Sequence, residues 1–295
     1  MNSLRVVVLV SPDTSDIYFA NQLARQLNVV GVFVEKQQEP ETFGQRLGKW
    51  LKLFKAPAQL QAKFRERKIF QDHYARTGAV DRTFFGEDGV TLQVPEGCHV
   101  VHTEGVRALS QPVYVKQIKS LKPDVIAVCG SSILKGEILQ AAPLGILNLH
   151  GGLAQRYRGI WTTLWAVVRN EPEYIGATVH YVSPGIDDGD IVYQGRPEVA
   201  PEDDPQSLYA KVVKLGVEMM CRAVNDIESQ SVKSYPLNQK GDLYLGKMVN
   251  GEVISKAWDN IERGILADYL KEKERRDRPV LELMRGSFSS IKETS

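Results

Sequence analysis

The stretch Val6-Val-Val-Leu-Val10, Ser11-Pro-Asp-Thr-Ser-Asp16, Ile17 to Leu27 and Val29-Val-Gly-Val-Phe-Val34 decides the fold. Val6–Val10 is a short β-branched run, the signature of a buried strand. Ile17, Phe19, Ala20, Leu23, Ala24 and Leu27 recur at helical spacing, with Thr14-Ser-Asp16 ahead of them as a capping segment. Val29–Val34 is a second strand. Strand, helix and strand in about thirty residues make a βαβ unit, so the strands run parallel with a right-handed crossover.

The same alternation continues outward. Leu109–Leu121 reads as a helix, and Asp124-Val-Ile-Ala-Val-Cys129 as a strand ending at Gly130-Ser-Ser. Leu134–Leu139 reads as a short helix, Gly145-Ile-Leu-Asn-Leu-His150 as a strand, and Trp161–Val168 as a helix. Gly176–Val182 and Ile191–Val199 are strands joined by the turn-rich Ser183-Pro-Gly-Ile-Asp-Asp-Gly-Asp190, and Pro205–Ile227 is a long amphipathic helix. The pattern predicts an α/β protein: an open, mostly parallel, Rossmann-like sheet with flanking helices.

Two segments break the alternation. About 41–76 is rich in Lys and Arg with interspersed aromatic residues, and predicts a basic helical insertion whose apolar face meets the protein and whose charges face water. A substrate-phosphate or anionic-membrane platform is the sharper alternative. Residues 1–229 are expected to form the main domain and 230–295 a small C-terminal extension. In that extension Asn250-Gly251 predicts a hairpin, and Lys256–Lys273 a helix. Trp258, Ile261, Ile265 and Tyr269 share one apolar face of that helix. The face packs on the body or forms a homodimer interface.

Composition narrows the function classes. The chain has 295 residues, 43% hydrophobic and 25% charged, with a net charge of +1. No overall field draws it to nucleic acid. No apolar run approaches the ~20 residues that cross a bilayer, and no signal peptide is evident. Cys98, Cys129 and Cys221 are an odd, scattered set without metal-ligand spacing. They fit a reducing compartment, so a cytoplasmic protein without a metal site or stable membrane insertion is expected.

In a parallel α/β sheet the ligand crevice lies at the carboxyl ends of the strands. Gly130-Ser131-Ser132 and Asn148-Leu-His150-Gly151-Gly152 fall there. Strand alternation puts Asn148 and His150 on one face. A neutral amide beside an imidazole suits oxyanion stabilisation next to proton transfer. Asn-x-His alone is a weak signal. His73, His99, His102 and His180 are scattered and read as surface or satisfied core groups.

Asn148–His150 is followed by Arg156-Tyr-Arg-Gly159, then Ile175-Gly-Ala-Thr-Val-His180, then Gly185-Ile-Asp187-Asp-Gly189-Asp-Ile-Val192. In this order and spacing the chain resembles the folate-dependent formyltransferase family, most clearly over about residues 121–220. The family includes methionyl-tRNA formyltransferase, glycinamide ribonucleotide transformylase and the nucleotide-sugar N-formyltransferases. The resemblance implies a catalytic set of Asn148, His150 and Asp187, and N10-formyltetrahydrofolate as formyl donor. It implies a folate pocket formed by Ser131, Ser132, Ile133 and Leu134 with Ile186, Asp188 and Asp190, largely through backbone groups. Asp188 and Asp190 are also the neighbours that shape the turn. Asn148 and a protonated His150 would each donate to the oxyanion, and Asp187 would accept the amine's proton. Acceptor contacts are expected from Gly151, Gly152, Tyr157, Arg158 and Trp161.

Two departures bear on the acceptor. Gln155 stands where the family usually has Pro. The turn after the first strand has Pro12, which lacks an N–H, and Asp13 and Asp16, where a phosphate loop would offer donors. The purine-pathway role is therefore disfavoured. The tail lacks the strand rhythm of the barrel that tRNA-directed members carry, which disfavours tRNA. A small amine remains, foremost a nucleotide-linked amino sugar, then an amino acid-derived amine or hydroxylamine. Other readings are a formyltetrahydrofolate hydrolase, a folate-sensing module, and a nicotinamide-dependent oxidoreductase, the last opposed by the missing G-x-G-x-x-G after Val10.

Overall fold

The computed structural model describes residues 3–37 and 57–284. Strands β1 (Val6–Val10), β2 (Val29–Val34), β3 (His99–His102), β4 (Val125–Cys129) and β5 (Ile146–His150) pair in parallel. The short β6 (Tyr157–Gly159) leaves the sheet. β7 (Ala177–Tyr181) and β8 (Ile191–Gly195) then return to its edge antiparallel. The order is β3-β2-β1-β4-β5-β7-β8. It reverses direction between β1 and β4, which is where such sheets open a crevice.

Both faces of β1 are buried, as its unbroken apolar run requires. Val6, Val8 and Val10 point to the core shared with Phe19, Leu23, Val212 and Val224. Val7 and Leu9 point to the opposite core with Tyr114, Ile118 and Ile138. Helices α1 (Thr14–Gln26), α2 (Pro57–Phe85), α3 (Pro112–Ser120), α4 (Thr162–Val168) and α5 (Pro205–Glu228) surround the sheet. Asp204 caps α5 by accepting hydrogen bonds from the Gln206 and Ser207 amides, and the Asp204 amide in turn donates to Ser207 Oγ.

Several elements differ from expectation. The insertion is one helix over its described part, and it runs nine residues past position 76, to Phe85; residues 41–56 lie outside the described residues. The helix expected over Leu134–Leu139 is a 3-10 turn, Gly136–Gln140. Asn250-Gly251 is no hairpin. Asn250 is the N-cap of α6 (Gly251–Glu262), its side-chain oxygen accepting from the Val253 amide. The helix expected over 256–273 breaks at Gly264, whose φ of 84° leaves the helical region, and restarts as α7 (Ile265–Lys271) and then α8 (Lys273–Leu283).

The tail's apolar face is covered by the chain itself. Ile254, Ala257, Ile265, Leu266 and Tyr269 join the main core, each under 8% exposed. Of the four residues expected on that face, Ile265 and Tyr269 are buried, while Trp258 and Ile261 pack half-buried against the same core. The tail also adds β9 (Asp242–Tyr244), which pairs in parallel with β6. No described helix is long and apolar enough to cross a membrane.

Candidate active site

β5 delivers Asn148 and His150 to the carboxyl edge of the sheet. The antiparallel register of β7 sets His180 directly opposite Asn148. Asp187 arrives from the loop after β7 with a φ of 47°, a left-handed conformation that an aspartate tolerates. Together these four side chains form one cluster. The Asp187 carboxylate stands 3.4 Å from His150 Nδ1 and 3.6 Å from His180 Nε2. It accepts a hydrogen bond from the Gly159 amide at 2.7 Å and a long one from Asn148 Nδ2 at 3.5 Å.

Each imidazole has one nitrogen committed to backbone. His150 Nε2 lies 2.8 Å from the Tyr157 carbonyl, and His180 Nδ1 lies 2.8 Å from the Tyr181 carbonyl. Carbonyls only accept, so both nitrogens carry a proton. His180 Nε2 then faces Asn148 Nδ2 at 3.1 Å, and His150 Nδ1 faces the carboxylate. Burial pushes the Asp187 carboxyl up, but His150, His180 and the Gly159 amide together outweigh it. They hold the group well below the ordinary carboxylate range. It is an anion at every working pH. The expected hydrogen bond from His150 to substrate is not what this geometry offers, because both ring nitrogens face protein groups.

Gly152 has a local reason. A Cβ there would sit 2.8 Å from His150 Nε2 and 3.0 Å from Thr162, so a side chain would displace the imidazole. The loop that follows is braced at several points. Gln155, buried in place of a proline, exchanges side-chain hydrogen bonds with Gln194, whose amide also donates to Thr178 Oγ1. Arg156 pairs with Glu171, and the buried Tyr157 donates its hydroxyl to the same carboxylate at 2.6 Å. Arg158 donates to the Gly241 and Ile186 carbonyls. The tail thus ties the two loops that flank Asp187.

The cluster opens into a cavity of about 780 Å³. Ser131, Ser132, Ile133, Leu134 and Ile186 line it, as do Gly151 and Trp161. Five expected contacts are not in its lining: Asp188, Asp190, Gly152, Tyr157 and Arg158. Asp188 is turned away by Ser183 and Lys240, which hold its carboxylate. Tyr157 and Arg158 are spent on the bracing just described. Asp190 is exposed, and its carbonyl accepts from the Tyr181 amide.

Three lining groups, His180, His73 and Tyr209, escaped the sequence reading. His180 and His73 were read as surface or core groups, yet both face the cavity. His180 was detectable only from the β5–β7 register. His73 is held by Trp258 Nε1, 3.2 Å from its Nδ1, and packs against the Trp161 ring. Asp16 and Tyr209 line the opposite wall, beside the first strand. Among the described residues no group of acidic, His and Cys side chains could hold a metal.

Comparison with known proteins agrees with this architecture. Residues 93–224 match the model of the formyl transferase family. Methionyl-tRNA formyltransferase of Kosmotoga olearia is 26% identical over 261 residues, covering 88% of this chain and 70% of that protein. The enzyme of the same name from Caldanaerobacter subterraneus is 30% identical over 152 residues, and there the match spans only 48% of the relative's length against 51% of this chain. The fold is shared with an N-formyltransferase from Helicobacter canadensis solved with folinic acid and dTDP-3-aminofucose. That likeness has a TM-score of 0.50 at 12% identity and covers 85% of this chain and 78% of that one. Residues 93–224 thus carry a formyl transferase domain, and the chain is similar to folate-dependent formyltransferases in sequence and fold.

Proposed function

We propose that the protein transfers a formyl group from N10-formyltetrahydrofolate to the amine of a small acceptor, foremost an amino sugar. The observation that carries this reading is the buried Asn148–His150–His180–Asp187 cluster at the mouth of a cavity large enough for a folate headgroup and an acceptor. The neutral amine attacks the formyl carbon and a tetrahedral oxyanion develops. Asn148 Nδ2, which contacts His180 Nε2 at 3.1 Å and Asp187 only at 3.5 Å, redirects the N–H of the longer contact to that oxygen, an interaction whose loss costs roughly 3 kcal/mol of barrier. His150 positions the carboxylate rather than the oxyanion, since Nε2 donates to the Tyr157 carbonyl and Nδ1 faces Asp187. The Asp187 anion accepts the proton the amine loses, directly or through one water; as the oxyanion collapses the C–N10 bond of the donor breaks, and that proton passes to N10 to release tetrahydrofolate. Ser131–Leu134 and Ile186 provide the folate wall. The domain division near 229, a cytoplasmic setting in keeping with three free cysteines, and a homodimer with no surface assigned to it belong to the same proposal.

The nucleotide carrier expected for the sugar is the weaker part of this reading. None of the described residues lining the cavity is Lys or Arg, so a diphosphate there has no cationic partner among them. Initiator methionyl-tRNA is the second reading, favoured by the curated relatives. Formyl transfer measured across free amino sugars, nucleotide-linked amino sugars, amino acid-derived amines and methionyl-tRNA separates them. Turnover with a small amine is expected. Transfer to methionyl-tRNA alone would overturn the small-acceptor reading, and folate turnover without any amine would point to hydrolysis.

A further inference from the structure

The turn between β1 and α1 lies at the crevice where the sheet order reverses, the place in such folds where a helix N-terminus receives an anion. Here a side chain of the protein occupies that position. Asp16, 3% exposed, turns back into the turn. Ser11 Oγ donates to its Oδ2 at 2.7 Å, and Ser15 Oγ and Cys129 Sγ donate to its Oδ1 at 3.2 and 3.4 Å. Three donors, from the turn after β1, from α1 and from β4, therefore converge on one carboxyl, as they would on a bound oxyanion. The opposite wall makes room for it. A Cβ on Gly130 would fall 1.7 Å from Asp16 Oδ2, so only glycine fits there.

The surroundings repel an incoming anion. Pro12 has no N–H to offer. Asp13 is the N-cap of α1 but makes no side-chain cap, and its exposed carboxylate lines the cavity. Asp81 lines the same half, with Oδ1 held by Gln206 Nε2 at 2.6 Å. The charge on Asp13 is felt by Asp16, Tyr74 and Asp81 alike. Among the described residues the lining holds Asp13, Asp16, Asp81 and Asp187 and no Lys or Arg.

We propose that Asp16 is a built-in occupant of the anion position at the β1–α1 turn, and that with Asp13 it makes the enzyme select acceptors carrying no phosphate on the part that reaches this wall. The two residues are specificity determinants, remote from the reacting atoms, and the substrate class is a neutral or cationic amine rather than a phosphomonoester. This rests on the formyl-transfer reading, but half of its test does not. Inorganic phosphate is titrated calorimetrically into the wild type, Asp16→Asn and Asp13→Asn/Asp16→Ser. Wild type and the isosteric Asp16→Asn should bind none, whereas the double variant, with Ser11, Ser15 and Cys129 freed, should bind with affinity raised roughly ten-fold or more. Binding by wild type that an amine acceptor displaces, or no gain in a folded double variant, overturns the proposal.

The second half compares kcat/KM for an amine acceptor and its phosphate monoester. Wild type should disfavour the monoester by about ten-fold or more, and the exposed Asp13→Asn change alone should shrink that ratio several-fold. Asp13→Asn also serves if the double variant does not fold. A monoester preferred by wild type, or a ratio that Asp13→Asn leaves unchanged, overturns the proposal. If no amine of any kind is formylated, the functional reading fails, and the phosphate titration still decides the role of Asp16.

Discussion

At the scale of single residues, Asp187 and its neighbour Asp188 separate cleanly. Asp187 is enclosed by two imidazoles and the Gly159 amide, while Asp188 is held by Lys240 and Ser183 at the rim. Asp187→Asn and Asn148→Ala should each lower kcat by roughly 100-fold or more with folding retained, and Asp188→Asn should leave most activity. A reversed ranking of the two aspartates in steady-state assays would show that the proton acceptor has been misplaced. Asp16 makes a different prediction, about stability. Burial pushes its carboxyl well above the ordinary aspartate range, up to about 7, the Ser11 hydrogen bond opposing and the Asp13 charge assisting. The folded state thus favours the protonated form. That contribution is complete below the unfolded value, fades as pH rises towards about 7, and is gone above it. Melting temperatures of wild type should therefore fall from pH 5 to pH 8 relative to Asp16→Asn, by an amount on the order of a few kcal/mol in stability. Parallel curves for the two proteins would count against a buried acid at this position.

At the scale of elements, the loop between β5 and α4 owes its shape to side-chain pairs rather than to a proline. Gln155 is 3% exposed and Gln194 2%, and each amide satisfies the other. Gln155→Ala leaves Gln194 a partner short in a buried setting, which should cost about 1–3 kcal/mol by chemical denaturation. Because this loop carries the Tyr157 carbonyl that receives His150 Nε2, KM and kcat should both worsen. An unchanged denaturation midpoint would mean the pair is incidental. The loop was partly legible: Arg156-Tyr-Arg-Gly159 marked its place, and Gln155 marked its departure. Its partners, Glu171 from beyond α4 and Gly241 from the tail, were not, because contacts over 15 and 83 residues leave no local periodicity to read.

At the scale of the whole molecule, the tail is a structural part of the body. Tyr244 stacks on Trp165 with ring centroids 4.6 Å apart, and Leu245 and Gly246 line the cavity. α6 packs against α2 and α4 with Ile254 and Ala257 buried. Cutting the chain after Ser229 uncovers that core, and each buried leucine or isoleucine lost from it forfeits roughly 1.5–3 kcal/mol. The truncated protein should bind a hydrophobic dye and lose its cooperative melt, as well as activity. A truncated chain that melts like the full one would show that the tail is dispensable.

The sequence by itself determined the sheet and the first three members of the site. Runs such as Val6–Val10 are apolar on both faces and can only be interior strands; Asn148 and His150 stand at the end of one such strand, and the order of the motifs after them singled them out. Asp187 came from the order of motifs, which the loop geometry then gave a place within reach of both. Only the tertiary structure decided the rest. His180 enters the site because an antiparallel register sets it opposite Asn148, and a lone histidine in a strand carries no mark of its partner. Asp188, Asp190, Tyr157 and Arg158 leave the cavity lining, since local spacing cannot say which way a turn directs its side chains. The hairpin at Asn250-Gly251 became a helix cap because the same two residues serve either geometry, and burial of the α6 face selects the helix.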